Sequence, residues 1–144
     1  MKILIISDTH GRIQNALCAI SRVRPERVYH LGDTTDDAGE IGLYFPDIEV
    51  CAVKGNNDFF SKAPDDIVAR IDGLLYFFTH GHKYGVKTGL YRLAERAKAL
   101  GADIAVFGHT HRLFDGSING VRLLNPSSSG YIVIDNNQTE VNKY

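Results

Sequence analysis

The feature that most constrains this 144-residue chain is a series of seven short apolar runs that are rich in β-branched residues. Each run is bounded by Gly, Asp, Asn or Pro, and runs of this length and composition are typical of β-strands. We therefore predict strands at Lys2–Ile6, Arg27–Leu31, Ile48–Val53, Leu74–Thr79, Asp103–Phe107, Val121–Leu124 and Tyr131–Ile134.

Two longer segments between the runs carry apolar side chains at helical spacing. They cover residues 13–23 and residues 88–100. Thr88 is the expected N-cap of the second helix, and Gly101 is its expected C-terminal stop. Because a crossover helix is the usual connection between parallel strands, the early alternation of strands and helices predicts a parallel, buried sheet.

The second half of the chain predicts antiparallel pairing. Asp72-Gly73 and Asn119-Gly120 are two-residue type I′ hairpin signals between strand-like runs. No linker, low-complexity stretch or internal repeat interrupts the chain, and its length suits one domain with a substantial core. We predict a single mixed α/β domain over residues 1–144.

The composition excludes several classes of partner. Sixteen Lys and Arg side chains against 17 Asp and Glu side chains leave a formal net charge of −1, so neither specific nucleic-acid affinity nor attraction to an anionic membrane is expected. Cys18 and Cys51 lie among apolar neighbours without a C-x-x-C spacing, so both are expected to be reduced core residues of a cytoplasmic protein. The run Ile3–Ile6 is too short for a signal peptide or a membrane span.

Side chains with metal-binding capacity follow five of the predicted strands. Loops beyond the carboxyl ends of strands converge on ligand sites in open α/β sheets, so these side chains are expected to meet. Imidazoles, carboxylates and an amide, without a thiolate, favour Mn²⁺, Fe, Co, Ni or Zn over a Cys-rich structural zinc site. Extended Asp8-x-His10 and His109-x-His111 segments would each direct two ligands to one side, and adjoining glycines would permit close backbone approach.

These segments, in this order, resemble the signature of the calcineurin-like metallophosphoesterases. The closing segment Leu124-Asn125-Pro126-Ser127-Ser128 is similar to the Asn-Pro-Gly-Ser segment of the small archaeal and bacterial phosphodiesterase-like branch, with Ser127 in place of the glycine. The resemblance implies a four-layer sandwich of two mixed β-sheets flanked by helices. The motifs that carry it are Asp8-x-His10, Gly32-Asp33, Gly55-Asn56-Asn57-Asp58, Thr79-His80-Gly81-His82 and Gly108-His109-Thr110-His111.

The resemblance also implies a binuclear metal centre for the hydrolysis of small phosphodiesters. Two ions sharing a carboxylate can hold a bridging hydroxide as the nucleophile, and one ion could not accept seven protein ligands and keep an open position. Manganese is the expected metal, with Ni, Fe, Zn or Co as alternatives. Residue by residue, the family pattern assigns Asp8, His10 and His111 to one ion, Asn56, His80 and His109 to the other, and Asp33 to both.

One departure from the family concerns the proton donor. Asn57 stands where much of the family has a histidine that protonates the leaving group, and asparagine cannot supply a proton in that way. We expect His82 or a metal-bound water to serve instead, with esters of acidic leaving groups hydrolysed best. Asp58 is expected to orient His10 or another ligand, or else to form an Asx turn.

Several readings stay open at this level. A phosphomonoesterase or protein phosphatase would use the same site, and an interaction scaffold of the retromer-subunit type would use a similar fold. A homo-oligomer is compatible with an antiparallel edge between residues 121 and 144. His30 is expected to be a core histidine with satisfied hydrogen bonds, and Phe59 and Phe60 are expected to pack under the site loop rather than to form a wall for an aryl group.

Overall fold

Ten β-strands and three α-helices make up the fold, and the computed structural model describes every residue from Met1 to Tyr144. In chain order the elements are β1 (Lys2–Ile6), α1 (Gln14–Val23), β2 (Arg27–His30), α2 (Thr35–Tyr44), β3 (Glu49–Ala52), β4 (Asp66–Ile71), β5 (Leu74–Thr79), a 3₁₀ turn (His82–Tyr84), α3 (Tyr91–Ala99), β6 (Ile104–Val106), β7 (Leu113–Ile118), β8 (Val121–Pro126), β9 (Gly130–Asp135) and β10 (Gln138–Lys143).

The strands form two mixed sheets of five strands each. The first has the order β10-β9-β1-β2-β3, in which β1, β2 and β3 are parallel and β9 runs antiparallel to both its neighbours. The second has the order β4-β5-β6-β8-β7, in which β5, β6 and β8 are parallel and each edge strand is antiparallel. The early parallel pairing and the later hairpins were both predicted, and both are confirmed.

Side chains that alternate along the central strands build three hydrophobic layers. Ile3 and Ile5 of β1 face the second sheet and join the central core, whereas Leu4 and Ile6 face α1 and α2. On the other side, α3 packs Leu93 and its neighbours against the second sheet. The order of layers is therefore helix, sheet, sheet, helix, and the predicted four-layer sandwich is confirmed.

Three tight hairpins close one end of the sandwich. Asp72-Gly73 and Asn119-Gly120 both have positive φ at their two central residues, as a type I′ turn requires. The third hairpin, Asn136-Asn137 between β9 and β10, was not predicted, although Asn is common at left-handed positions.

Some local expectations were wrong. The third helix begins at Tyr91, because Thr88 donates its hydroxyl to the Gly85 carbonyl in a preceding turn and does not cap the helix. Cys18 is exposed on α1, although both cysteines are free as expected. The helix α2 was missed because Gly39 and Gly42 weaken its pattern. None of the helices has the length and apolar character needed to cross a membrane.

Candidate metal centre

Loops at the carboxyl ends of β1, β2 and β6 bring together a first group of potential ligands. Asp8, His10, Asp33 and His111 each offer one donor atom, and these atoms all lie within 4.8 Å of one another. His111 Nε2 is 3.2 Å from Asp8 Oδ1, and the His10 and His111 rings are 5.3 Å apart. The carboxylates are buried while the imidazoles are exposed, so this group can hold a cation that solvent and substrate can reach.

A second group of donors surrounds His80, which follows β5. Its Nε2 lies 3.0 Å from Asn56 Oδ1 and 3.1 Å from His109 Nδ1. The same nitrogen is 3.6 Å from Asp33 Oδ1, so Asp33 stands between the two groups. The structure therefore brings together all seven side chains to which the sequence assigned a metal.

The hydrogen bonding of these groups shows that a cation fits between them. His80 Nδ1 lies 2.7 Å from the Leu31 carbonyl, which can only accept, so in the neutral ring Nε2 presents a lone pair. Burial, followed by the nearby His80, lowers the pKa of His109 to about 4. The His80 Nε2 lone pair and the Asn56 side-chain oxygen therefore face each other at 3.0 Å, and two acceptors at this distance repel unless a positive ion lies between them.

A buried carboxylate oxygen points to the same requirement. Asp8 Oδ1 is buried and accepts no hydrogen bond, whereas Asp8 Oδ2 accepts from the Ser7 hydroxyl and from the His109 backbone N–H. An unpartnered buried carboxylate oxygen is costly, and a divalent ion is the partner that the surrounding N and O donors suit best. The residues present therefore fit a divalent metal-binding site.

Asp58 organises the backbone of the site rather than a ligand side chain. Its carboxylate accepts four backbone N–H groups, at 2.7 Å from Gly55, 2.9 Å from Asp33, 2.8 Å from Thr34 and 2.9 Å from Thr35. Burial alone would raise the pKa of Asp58, but these donors outweigh it and hold the pKa below its usual range. The expected contact with His10 is absent, and Asp58 acts on Asp33 through the main chain.

Asn57 also acts on Asp33. Its side-chain amide donates to Asp33 Oδ2 at 3.0 Å, and its backbone N–H donates to Oδ1 at 3.1 Å. Asn57 therefore fixes the direction in which the central carboxylate points, which is a role that the sequence alone did not indicate.

His30 belongs to a buried network beneath the two loops that carry Asp8 and Asp33. Its Nδ1 accepts the Gly32 N–H at 3.1 Å, so Nε2 carries the proton and donates to Thr9 Oγ1 at 2.8 Å. The Thr9 hydroxyl in turn donates to Asp37 on α2 at 2.5 Å. The expectation for His30 is confirmed, and burial lowers its pKa to about 4.

The backbone at the ligands is left-handed rather than extended. Asp8, His10, Asp33, His109 and His111 have φ between 48° and 67°, so the expectation of extended Asp8-x-His10 and His109-x-His111 segments is wrong. Non-glycine residues rarely adopt this conformation, and each costs of order 1–3 kcal/mol.

Two adjoining glycines are required by close packing. A Cβ on Gly55 would overlap the Asp33 carboxylate, and a Cβ on Gly108 would overlap the side chains of Ser7 and Asp8. The expectation that glycines permit close backbone approach at the site is confirmed at both positions.

His82 lies beside the second group of donors. Its ring is 5.4 Å from the His80 ring and 6.2 Å from the His109 ring, and its buried Nδ1 has no hydrogen-bond partner. Burial, followed by the nearby His80, lowers the pKa of His82. Phe59 and Phe60 are 81% and 100% exposed, so the expectation that they pack under the site loop is wrong.

A polar cavity of about 670 Å³ opens beside the first group of donors. Arg12, Asn15 and Ser128 line it together with His10 and His111, and these side chains offer charge and hydrogen bonds to an anion. Neither Arg12 nor Asn15 was singled out from the sequence. Their place on the loop and first turn after Asp8 was the available signal.

Comparison with known proteins identifies the family of this chain. The calcineurin-like phosphoesterase superfamily domain matches residues 1–140. The probable metallophosphoesterase YsnB of Bacillus subtilis (strain 168) is 35% identical over 132 residues, which are 89% of this chain and 75% of that protein. The phosphodiesterase MJ0936 of Methanocaldococcus jannaschii is 29% identical over 155 residues, covering 92% of this chain and 87% of that one.

The fold also matches a solved structure. Wild-type Vps29 from Entamoeba histolytica, complexed with Zn²⁺, superimposes with a TM-score of 0.81 at 24% identity, over 94% of this chain and 86% of that chain. This match shows the fold. The chain belongs to the calcineurin-like phosphoesterase superfamily, in its small bacterial and archaeal metallophosphoesterase branch.

Proposed function

We propose that this protein is a binuclear metal-dependent phosphodiesterase that hydrolyses small phosphodiesters. The observation that carries the proposal is the position of Asp33, whose carboxylate lies between two groups of imidazole, carboxylate and amide donors. Asp8, His10 and His111 would hold one ion, Asn56, His80 and His109 the other, and Asp33 both. Manganese is the metal we expect, and the activity named for the relative MJ0936 supports the diester as substrate.

The metal ions would supply Lewis acidity, which makes water a nucleophile near neutral pH and offsets charge on the phosphoryl oxygens. The protein's part is to hold the reacting groups. Asn57 and the Asp58-bound loop keep the Asp33 carboxylate in one orientation. Arg12 lines the polar cavity and is placed to attract an anionic phosphoester.

The site offers two candidates for the proton donor to the leaving group. Asn57 donates to Asp33 and has no proton to release, so the role falls to His82 or to a water molecule. His82 is half-buried beside His80, and its lowered pKa makes it a poor store of a proton at pH 7. We therefore propose that diesters with acidic leaving groups, which need little protonation, are hydrolysed fastest.

The test uses metal-stripped protein, an aryl phosphodiester and the matching monoester, with Mn²⁺ as the titrant. We expect Mn²⁺ to restore hydrolysis of the diester, and Asp33→Asn to lower kcat/KM by roughly a hundredfold or more, because the central carboxylate loses charge and donor capacity. Asp72→Asn, in a hairpin at the opposite end of the sandwich, is the matched control and should leave the rate unchanged.

Two results would contradict the proposal. Faster hydrolysis of the monoester would make the protein a phosphomonoesterase or protein phosphatase on the same site. Failure of metal-loaded protein to hydrolyse either ester would favour an interaction scaffold, for which the exposed Phe59 and Phe60 offer a contact surface.

A further inference from the structure

An apolar pocket of about 470 Å³ lies beside the candidate metal centre and shares no lining residue with the polar cavity. Its volume is in the range of small-molecule binding sites. Aliphatic and aromatic side chains form most of its wall, namely Val86, Leu90, Phe107, Leu113 and Phe114.

The pocket exists because α3 does not cover the whole outer face of the second sheet. The helix begins at Tyr91 and shields Leu93, while Phe107 and Val86 belong to the same hydrophobic cluster at the edge of the covered area. Leu113, at the start of the edge strand β7, is 49% exposed. The outer wall of the pocket is therefore formed by the exposed Leu113 and the half-buried Phe114, which lie over the buried Val86 and Phe107.

Two cations at this pocket have no acidic partner. Lys87 and Arg112 both line it, and neither forms an ion pair. Lys54 and Lys83 elsewhere around the site differ in this respect, because Asp65 pairs with both of them. An apolar wall with two unpaired positive charges is complementary to an occupant that is both aromatic and anionic.

The pocket and the metal centre share a short piece of chain. Thr110 lines the pocket, and its neighbours His109 and His111 belong to the two groups of donors. Consecutive Cα atoms are about 3.8 Å apart, so the stretch of backbone that carries the two ligand histidines also carries one wall of the pocket. Asn125 donates to the Gly108 carbonyl and to Thr110 Oγ1, which fixes this piece of chain.

We propose that this pocket binds one ester group of the substrate, and that this group is an aromatic ring system carrying a second phosphate, as in a nucleotide. The inference rests on the proposed phosphodiesterase function and specifies its substrate class. The ring would pack against Leu113 and Phe114, and the second phosphate would lie between Lys87 and Arg112. One water is consumed as the P–O bond to the other ester group breaks, and the products are a phosphomonoester and a free hydroxyl compound.

The experiment keeps the leaving group constant and varies the other ester group. The substrates are methyl p-nitrophenyl phosphate, the p-nitrophenyl ester of thymidine 5′-phosphate, and the same ester with an added 3′-phosphate. We expect KM to fall along this series, by about tenfold between the first and the last, since a buried ring and a paired charge each contribute a few-fold.

Two variants separate the ring from the charge. Lys87→Gln with Arg112→Gln should raise KM for the 3′-phosphorylated ester by roughly threefold and leave the methyl diester unchanged. Leu113→Ser should weaken both thymidine esters equally, and because Leu113 is exposed the fold should persist. Lys98→Gln with Lys143→Gln, at exposed positions away from the pocket, is the matched control.

A binding measurement distinguishes failure of the pocket from failure of the proposed function. Thymidine 3′,5′-bisphosphate is titrated into metal-free protein while the methyl resonances of Val86 and Leu113 are followed by NMR. If the double variant abolishes this binding but no diester is hydrolysed, the pocket stands and the phosphodiesterase proposal fails. If all diesters are hydrolysed with equal KM and the bisphosphate does not bind, the pocket inference is overturned and the phosphodiesterase stands.

Discussion

The two ends of the sandwich use left-handed backbone in opposite ways. At the hairpin end, positive φ falls on Asn, Asp and Gly, which adopt it at little cost, in exposed turns such as Asn119-Gly120. At the metal end it falls on His10, His109 and His111, and on Asp8 and Asp33, which are buried. Asp and His adopt this conformation more readily than most non-glycine residues but still at a cost, so at the metal end a modest strain falls on the residues that carry the ligand atoms.

The two ends also differ in burial, and the metal end is the more buried. The hairpin end is joined by exposed polar contacts, such as the bond from the Met1 amino group to Asp72 and the bond from Asn137 to the Asp72 carbonyl. The metal end buries His30 and His80 completely, together with several carboxylates. The hairpin end therefore connects strands at little cost in free energy. The metal end carries backbone strain and buried charge, which place the ligand atoms.

The largest expected effect comes from adding a single methyl group at the metal end. Gly108→Ala should lower kcat/KM for the aryl phosphodiester by roughly a hundredfold, because its Cβ overlaps Ser7 and Asp8 and misplaces a ligand by about an ångström. Its cost in unfolding free energy should be about 1–3 kcal/mol. Kinetics with Mn²⁺ and urea unfolding measure both quantities.

The matched change at the hairpin end is Gly120→Ala. Nothing lies within 4 Å of the added Cβ, and only the positive φ of 83° opposes it. We expect a cost of about 1 kcal/mol and an unchanged rate. Equal losses of activity in the two variants would show that the ends do not differ as described.

An intermediate effect should appear in the pH dependence of stability, measured on metal-free protein. Burial holds the pKa of His30 at about 4, below its unfolded value of 6.5, so the unfolded chain binds more protons between these two pH values. The stabilisation is complete above pH 6.5 and is lost as pH falls towards 4. Between pH 7 and pH 5, His30 should account for a loss of about 2 kcal/mol in unfolding free energy.

The comparison that isolates His30 uses His30→Gln, which should be less stable at pH 7 but should lose less stability on acidification. Asp72→Asn at the hairpin end provides the control, because its exposed contact should leave the slope between pH 7 and pH 5 as in the parent protein. A His30→Gln variant with the parent slope would mean that acid sensitivity arises elsewhere.

The smallest effect is expected at the Asn136-Asn137 hairpin, which the sequence did not predict. Asn136→Gly should change the unfolding free energy by no more than about 0.5 kcal/mol, because both residues accept the observed φ of 48°. Activity should not change. A loss well above that value would show that the Asn136 side chain contributes interactions beyond the turn itself, and thermal unfolding is sufficient to measure it.

Local patterns allowed much of the fold to be predicted. Short apolar runs rich in β-branched residues located β1 and β5 to the residue, and Asp-Gly and Asn-Gly pairs located two of the three hairpins. The start of α3 and the whole of α2 were missed, because Thr88 forms a local turn and two glycines dilute the α2 pattern. These features depend on contacts that the spacing of apolar residues does not predict.

By itself, the sequence determined which residue types follow which strands, and hence the metal-binding character and the family of the protein. Only the tertiary structure decided how these groups face one another: the lone pair of His80 directed at Asn56 and His109, and the left-handed backbone at the ligands. It also decided that Asp65 pairs with Lys54 and Lys83, whereas Lys87 and Arg112 have no acidic partner beside the apolar pocket. The physical reason is distance along the chain, since Asp8 and His109 are 101 residues apart and their contact depends on the packing of both sheets.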